Sequence, residues 1–292
     1  MASTCLNRIC YFCNVRTGDN AMTKEELRIR FYDLQDRYRP FMDLLTSKQF
    51  DKEYINYKGF DASPSYLIFQ PQVLFLGYNP SGNRDWMLWD KKGKHEKLEP
   101  HTNETELMFF TRNGARKKNA EWYELNVQEN NKLPRQMVDM MYELACLIDP
   151  EKGNERGSNK EPYWAKSFKE TMMYLNLYPV ATKDGKAMVS LFRTVCKESV
   201  IPEECKGNEW NVRKFFVQIM HQMIELLNPK LIVCMGSQTF HDYTYSSRKK
   251  HSIKGVFTHP GYVNLIGFSR KGSWDGNIPN IAKEIYQRAF CG

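Results

Sequence analysis

Val73-Leu74-Phe75-Leu76-Gly77-Tyr78-Asn79-Pro80-Ser81-Gly82-Asn83 is an apolar run that stops abruptly at a turn built from Gly, Asn, Pro and Ser. Such a run reads as a buried strand, and in an open α/β sheet ligands bind beyond the carboxyl ends of the strands. Gly77 and Gly82 allow close backbone approach, Pro80 stiffens the turn, and Asn79 sets a neutral amide at its tip. The amide offers both a donor and an acceptor, so it suits gripping a water or a base.

Three further segments have the same form. Met172 to Leu177 leads into Tyr178-Pro179 and carries Asn176, Pro229 to Gly236 leads into Ser237, and Lys254 to Thr258 leads into His259-Pro260-Gly261. The segment Trp210 to Leu227 is amphipathic at helical spacing and feeds through Asn228-Pro229 into the third strand, which is the αβ unit of a parallel sheet.

Four strand ends with polar tips in this order resemble the uracil-DNA glycosylase superfamily, over roughly residues 68 to 288. The matching positions are Gly77-Tyr78-Asn79-Pro80, Asn176, Gly236-Ser237 and His259-Pro260-Gly261, with Gly261 where that family carries Ser. Within the superfamily, Asn in the first motif and His in the last are similar to the single-strand-selective monofunctional branch. The resemblance implies a three-layer α/β/α fold around a central four-stranded parallel sheet.

It also implies a chemistry. Cleaving a base from deoxyribose loads negative charge on the departing pyrimidine and positive charge on the sugar. By resemblance, Asn79 positions the attacking water and His259 donates a hydrogen bond to the pyrimidine O2, while Asn176 reads the O4 and N3–H edge. Gly77, Tyr78, Pro80 and Ser81 complete the base site. Gly236, Ser237, Pro260, Gly261, Tyr262, Arg270 and Lys271 are expected to face DNA, with Tyr262, Leu265 and Arg270 as candidates to fill the vacated stack. The expected partner is DNA bound by a monomer, with no cofactor.

The rest of the chain supports a soluble DNA-handling protein without naming its base. The net charge of +8 is modest, yet no Asp or Glu falls between Tyr243 and Trp274, an interval holding Arg248, Lys249, Lys250, Lys254, Arg270 and Lys271. That points to a basic surface near the site, against the plainer reading of a solvated basic loop. No run of about 18 apolar residues occurs, and the amino terminus lacks the form of a signal peptide, so a cytoplasmic location is expected, nuclear if the source is eukaryotic. Cys5, Cys10 and Cys13 include a Cys-x-x-Cys pair, half of an iron–sulfur or zinc set. Cys196 and Cys205 lie away from the places that would complete it, so no cluster or metal site is expected.

Punctuation divides the chain into an amino-terminal helical extension over residues 1–60 and a glycosylase-like domain over 61–292. Thr23-Lys24-Glu25-Glu26 is a capping-box pattern ahead of a helix in which Leu34, Tyr38, Phe41 and Leu45 can share a face. Residues 84–162 read as an insertion over the site, containing a helix from Leu133 to Ile148 and the aromatics Phe109, Phe110, Trp122 and Tyr123. A closing helix runs from Ile278 to Ala289. Two rival functions remain open at this stage. One is a catalytically silent nucleic-acid or nucleotide binding module on the same fold. The other treats the first turn as a phosphate loop, although it lacks the Gly-Lys-Ser/Thr ending and the dinucleotide glycine spacing.

Overall fold

The computed structural model describes residues 22–38, 40–41, 44, 56–57, 69–78, 132–151, 171–182, 184–246, 252–253, 255–269 and 274–291. The first helix, α1 (Lys24–Asp36), opens with the expected capping box. The Glu26 N–H donates to the Thr23 hydroxyl at 3.1 Å, and the Thr23 N–H donates back to the Glu26 carboxylate at 2.8 Å. Two of the four orphan donors of the helix start are thereby satisfied.

The strands follow as β1 (Asn56–Tyr57), β2 (Val73–Gly77), β3 (Met172–Asn176), β4 (Val180–Ala181), β5 (Leu231–Met235), β6 (Ser252–Ile253), β7 (Val256–His259) and β8 (Tyr262–Phe268). Among the described residues, the α-helices beyond α1 are α2 (Lys132–Ile148), α3 (Gly185–Val195), α4 (Glu209–Leu227), α5 (Ser237–Tyr243) and α6 (Trp274–Ala289). Asn208 caps α4, its side chain accepting from the N–H groups of Trp210 and Asn211. Asn228 ends that helix in the left-handed conformation at φ 49°, which Asn tolerates better than most residues.

The main sheet is mixed and has six strands in the order β3-β2-β5-β8-β7-β6. The pairings β2/β3, β2/β5 and β5/β8 are parallel, and β7/β8 and β6/β7 are antiparallel. Alternation along the strands feeds two apolar clusters. Leu74, Leu76, Met173, Leu175, Ile232, Cys234 and Leu265 join residues of α1, α3 and α4. Val73, Phe75, Met172, Tyr174, Val233, Ile266 and Phe268 join residues of α2 and α6. With each face buried, the strands read as continuous apolar text, as parallel strands do.

Three sequence expectations change here. The sheet is wider than four strands, and its fourth parallel member is Tyr262–Phe268 rather than Lys254 to Thr258. Pro260-Gly261 is a reversal, not a strand tip: His259 pairs with Tyr262 across it, so Val256–His259 runs antiparallel to β8. Pro presets its own φ and lacks an N–H, which suits a tight hairpin connection. The closing helix also starts earlier than Ile278, at Trp274, leaving Pro279 inside it.

The amino-terminal segment belongs to the common core. The Tyr38 ring stacks on Phe216 at 4.9 Å between centroids, and Phe41 meets Phe215 at 5.5 Å. Burying aromatics of this size supplies much of the packing free energy between α4 and the segment that follows α1. The short pair β1/β4, with Asn56 opposite Ala181, lies apart from the main sheet.

Candidate functional site

The carboxyl ends of the parallel strands bring Gly77 and Asn176 directly opposite each other in register. The two chains stay together past the sheet, because Leu177 N–H donates to Gly77 C=O and Tyr178 N–H donates to Tyr78 C=O, each at 2.9 Å. Gly77 is required by close packing. A Cβ there would lie 2.1 Å from the Tyr174 hydroxyl and 2.8 Å from Asn176 Oδ1. Only a hydrogen fits in that space, and this places the Asn176 amide flush against the β2 backbone.

Asn176 is fully buried, and its Oδ1 accepts a long hydrogen bond from Tyr174 at 3.4 Å. Among the described residues its Nδ2 has no hydrogen-bond partner. A buried amide nitrogen left unpaired costs about 1–3 kcal/mol, and most buried polar groups in proteins are satisfied. This donor stands open at the carboxyl end of a parallel strand, available to an acceptor.

Around Tyr178 lies a polar network on the same end of the sheet. The fully buried Tyr178 hydroxyl donates to Asp242 Oδ2 at 2.8 Å, and Gln238 Nε2 donates to Asp242 Oδ1 at 2.7 Å. Arg213, one turn into α4, pairs with Asp242 Oδ1 and reaches the Tyr178 hydroxyl at 3.4 Å. Burial first, and the Asp242 charge second, hold the Tyr178 phenol well above its ordinary pKa. Burial works against the Arg213 cation, but Tyr178 and Asp242 outweigh it and keep its pKa above the usual guanidinium value. The Tyr178 ring meets Tyr78 edge to face at 5.1 Å, so the network backs the residue that follows Gly77.

Gly236 and Ser237 stand at the exit of β5, on this same end, with Gly236 at φ 134°, a conformation that side chains rarely adopt. Ser269 follows β8 there as well.

His259 does not join them. Met235 pairs with Phe268 at the carboxyl end, while His259 pairs with Tyr262, six residues back along β8. At about 3.3 Å per residue, that separates His259 from the level of Gly77 and Asn176 by roughly 20 Å. The half-buried imidazole instead accepts the Gly261 N–H on Nδ1 at 3.1 Å and sits 5.3 Å from the Tyr262 ring. Pro260, Gly261 and Tyr262 share this opposite, amino-terminal end of the parallel strands. Asn79, Pro80, Ser81, Arg270 and Lys271 lie outside the described residues, as do Cys5, Cys10, Cys13 and the aromatics expected of the insertion.

Sequence reasoning missed Tyr174, Arg213, Gln238 and Asp242. Arg213 and Asp242 are 29 residues apart on two helices, and no local pattern links them. Tyr174 had a signal, since residues two apart on a strand share a face and Asn176 had already been singled out.

Among the described residues, no group of three or more His, Cys, Asp and Glu side chains is placed to hold a metal ion. Cys196 and Cys205 are buried thiols, and burial, then Glu204, pushes Cys205 up to about 12. No described helix is long and apolar enough to cross a membrane. Comparison of the chain with family models, with curated proteins and with solved structures gave no match in any of the three.

Proposed function

We propose that this protein is a monofunctional DNA glycosylase that takes a flipped uracil or modified pyrimidine against the carboxyl ends of its parallel strands and hydrolyses the N-glycosidic bond. The observation that carries the reading is the unpaired Nδ2 of the fully buried Asn176 beside Gly77. A free amide donor matches the O4 acceptor of uracil and opposes the amino group that cytosine presents there. Charge building on the departing pyrimidine spreads to its carbonyl oxygens, so this hydrogen bond strengthens toward the transition state. Asn79, two residues beyond Gly77, is the group assigned to hold the attacking water.

A base-binding module without chemistry is the second reading, and the placement of His259 favours it. The imidazole that the family resemblance assigned to O2 stands at the wrong end of the sheet. The two readings differ in one assay. Oligonucleotides carrying uracil, modified pyrimidines or no lesion are incubated with the protein and then cleaved with alkali. Release that is lost in Asn79→Ala, and reduced about tenfold or more in Asn176→Ala, supports the glycosylase. Binding of a uracil-containing strand that weakens in Asn176→Ala, with no release from any substrate, supports the module.

A further inference from the structure

Four aromatic rings follow one another from the first turn of α4 to the start of β8. Trp210 meets Tyr245 at 6.4 Å between centroids, Tyr245 meets His221 at 5.6 Å, and His221 meets Tyr262 at 6.3 Å. Tyr245 is exposed at 41%, and Trp210 and Tyr262 are half-buried, so the row reaches the surface.

Tyr245 is held at φ 52°, immediately after the cap of α5. That left-handed position is normally filled by Gly, sometimes Asn, and a bulky ring there carries backbone strain. The strained position keeps the Tyr245 ring at the surface against Trp210 and His221, and strained residues cluster at ligand sites.

Lys214, an exposed cation, lies 5.9 Å from the Trp210 ring, and Arg213, held by Asp242, lies over the same ring at 4.6 Å. The sequence from Thr244 to Ser273, which contains Tyr245 and Tyr262, has no Asp or Glu and six Lys and Arg. The nearest exposed or half-buried carboxylates on α4 are Glu209, which pairs with Arg193 at 3.5 Å, and Glu225, one turn beyond His221.

We propose that Trp210, Tyr245 and Tyr262, bridged from behind by the ring of His221, form a stacking track for unpaired bases of single-stranded nucleic acid. Aromatic faces take any base, and adjoining Lys and Arg follow the phosphates. The track deepens the nucleic-acid reading above and rests on it. It leads from the hairpin end of the sheet toward Trp210, beside the Arg213–Asp242 network at the carboxyl end. A strand lying on it would be guided toward Asn176.

The test is fluorescence anisotropy with a labelled oligothymidylate of about 12 nucleotides, a length within the range such grooves cover. Wild type is compared with Trp210→Ala and Tyr245→Gly. Glycine relieves the left-handed strain while deleting the ring, so a structural role and a binding role separate. The expected result is a dissociation constant raised about fivefold or more in each variant, with the thermal midpoint of Tyr245→Gly held and a duplex of equal length affected less. An unchanged constant in both variants, an equal loss for duplex, or a loss seen only alongside lowered midpoints overturns the track. Base release is not the readout. A protein that releases no base yet binds through these rings would retire the glycosylase and keep the track.

Discussion

The Tyr178 N–H donates to the Tyr78 carbonyl at 2.9 Å while the two rings meet edge to face at 79°, so backbone and side chain together lock the exit of β3 to the exit of β2. The clamp is anchored from behind by Asp242 and Arg213, which belong to two different helices. Loop position at the candidate site thus depends on helix packing some distance from it.

Tyr178→Phe tests the anchor. The ring contact survives, but Asp242 Oδ2 loses its 2.8 Å donor inside the core. A buried hydrogen bond to a charged group contributes about 1.5–3 kcal/mol, and a loss of that order is expected in denaturant unfolding. A loss well under about 0.5 kcal/mol would mean that the hydroxyl is not anchored as described.

Gly77→Ala tests the fit between β2 and Asn176. The new methyl overlaps the Tyr174 hydroxyl and Asn176 Oδ1, so the amide must move. Overpacking of this kind costs about 1–3 kcal/mol, and base binding should weaken with it. Adding Tyr174→Phe removes the closest atom and should restore part of the stability. Full activity in Gly77→Ala alone would show that Asn176 is not the base reader.

His259→Ala is the test of topology. Antiparallel pairing with Tyr262 puts the imidazole at the amino-terminal end, away from Asn176. Base release should persist in this variant at saturating substrate. Abolished release with an intact fold would return His259 to the chemistry and contradict the strand arrangement.

Much of this was legible in the residues. The strands ending at Gly77, Asn176 and Met235, the helices ending at Ile148 and Leu227, and the Thr23–Glu26 box all announce themselves through period, caps and turn chemistry. The hairpin was not legible, because His-Pro-Gly after an apolar run has one spelling for a strand tip and for a reversal. What separates them is the run that follows, Tyr262–Phe268, whose pairing with β5 is a long-range choice. The Arg213–Asp242 pair was hidden for the same reason.

That pair gives a prediction of its own. Arg213 and Asp242 are 13% and 4% exposed, and removing one partner strands the other charge in the core. Asp242→Ala is expected to cost about 3–5 kcal/mol. Arg213→Met combined with Asp242→Leu should cost less than the two single changes summed, although the Tyr178 and Gln238 donors lose Asp242 as acceptor. Simple additivity in a double-mutant cycle would deny the coupling.

His221 supplies the pH dependence. Burial lowers its pKa below the ordinary value near 6.5, against a smaller opposing effect from the Tyr243 carbonyl bonded to Nε2 at 2.8 Å. Above about pH 6.5 the ring is neutral in both folded and unfolded chains and the shift has no effect. As pH falls below that value the unfolded chain takes up a proton that the folded one refuses, so stability declines until the lowered folded pKa is passed. The thermal midpoint of wild type should therefore drop more between about pH 7.5 and about pH 5.5 than that of His221→Gln, in which this group no longer titrates. The carboxylates and the other five of the six histidines are common to both proteins, so the difference between the two profiles isolates His221. Parallel profiles would show that the ring is as accessible to protons in the folded protein as in the unfolded chain, and that it is not the buried link between Tyr245 and Tyr262.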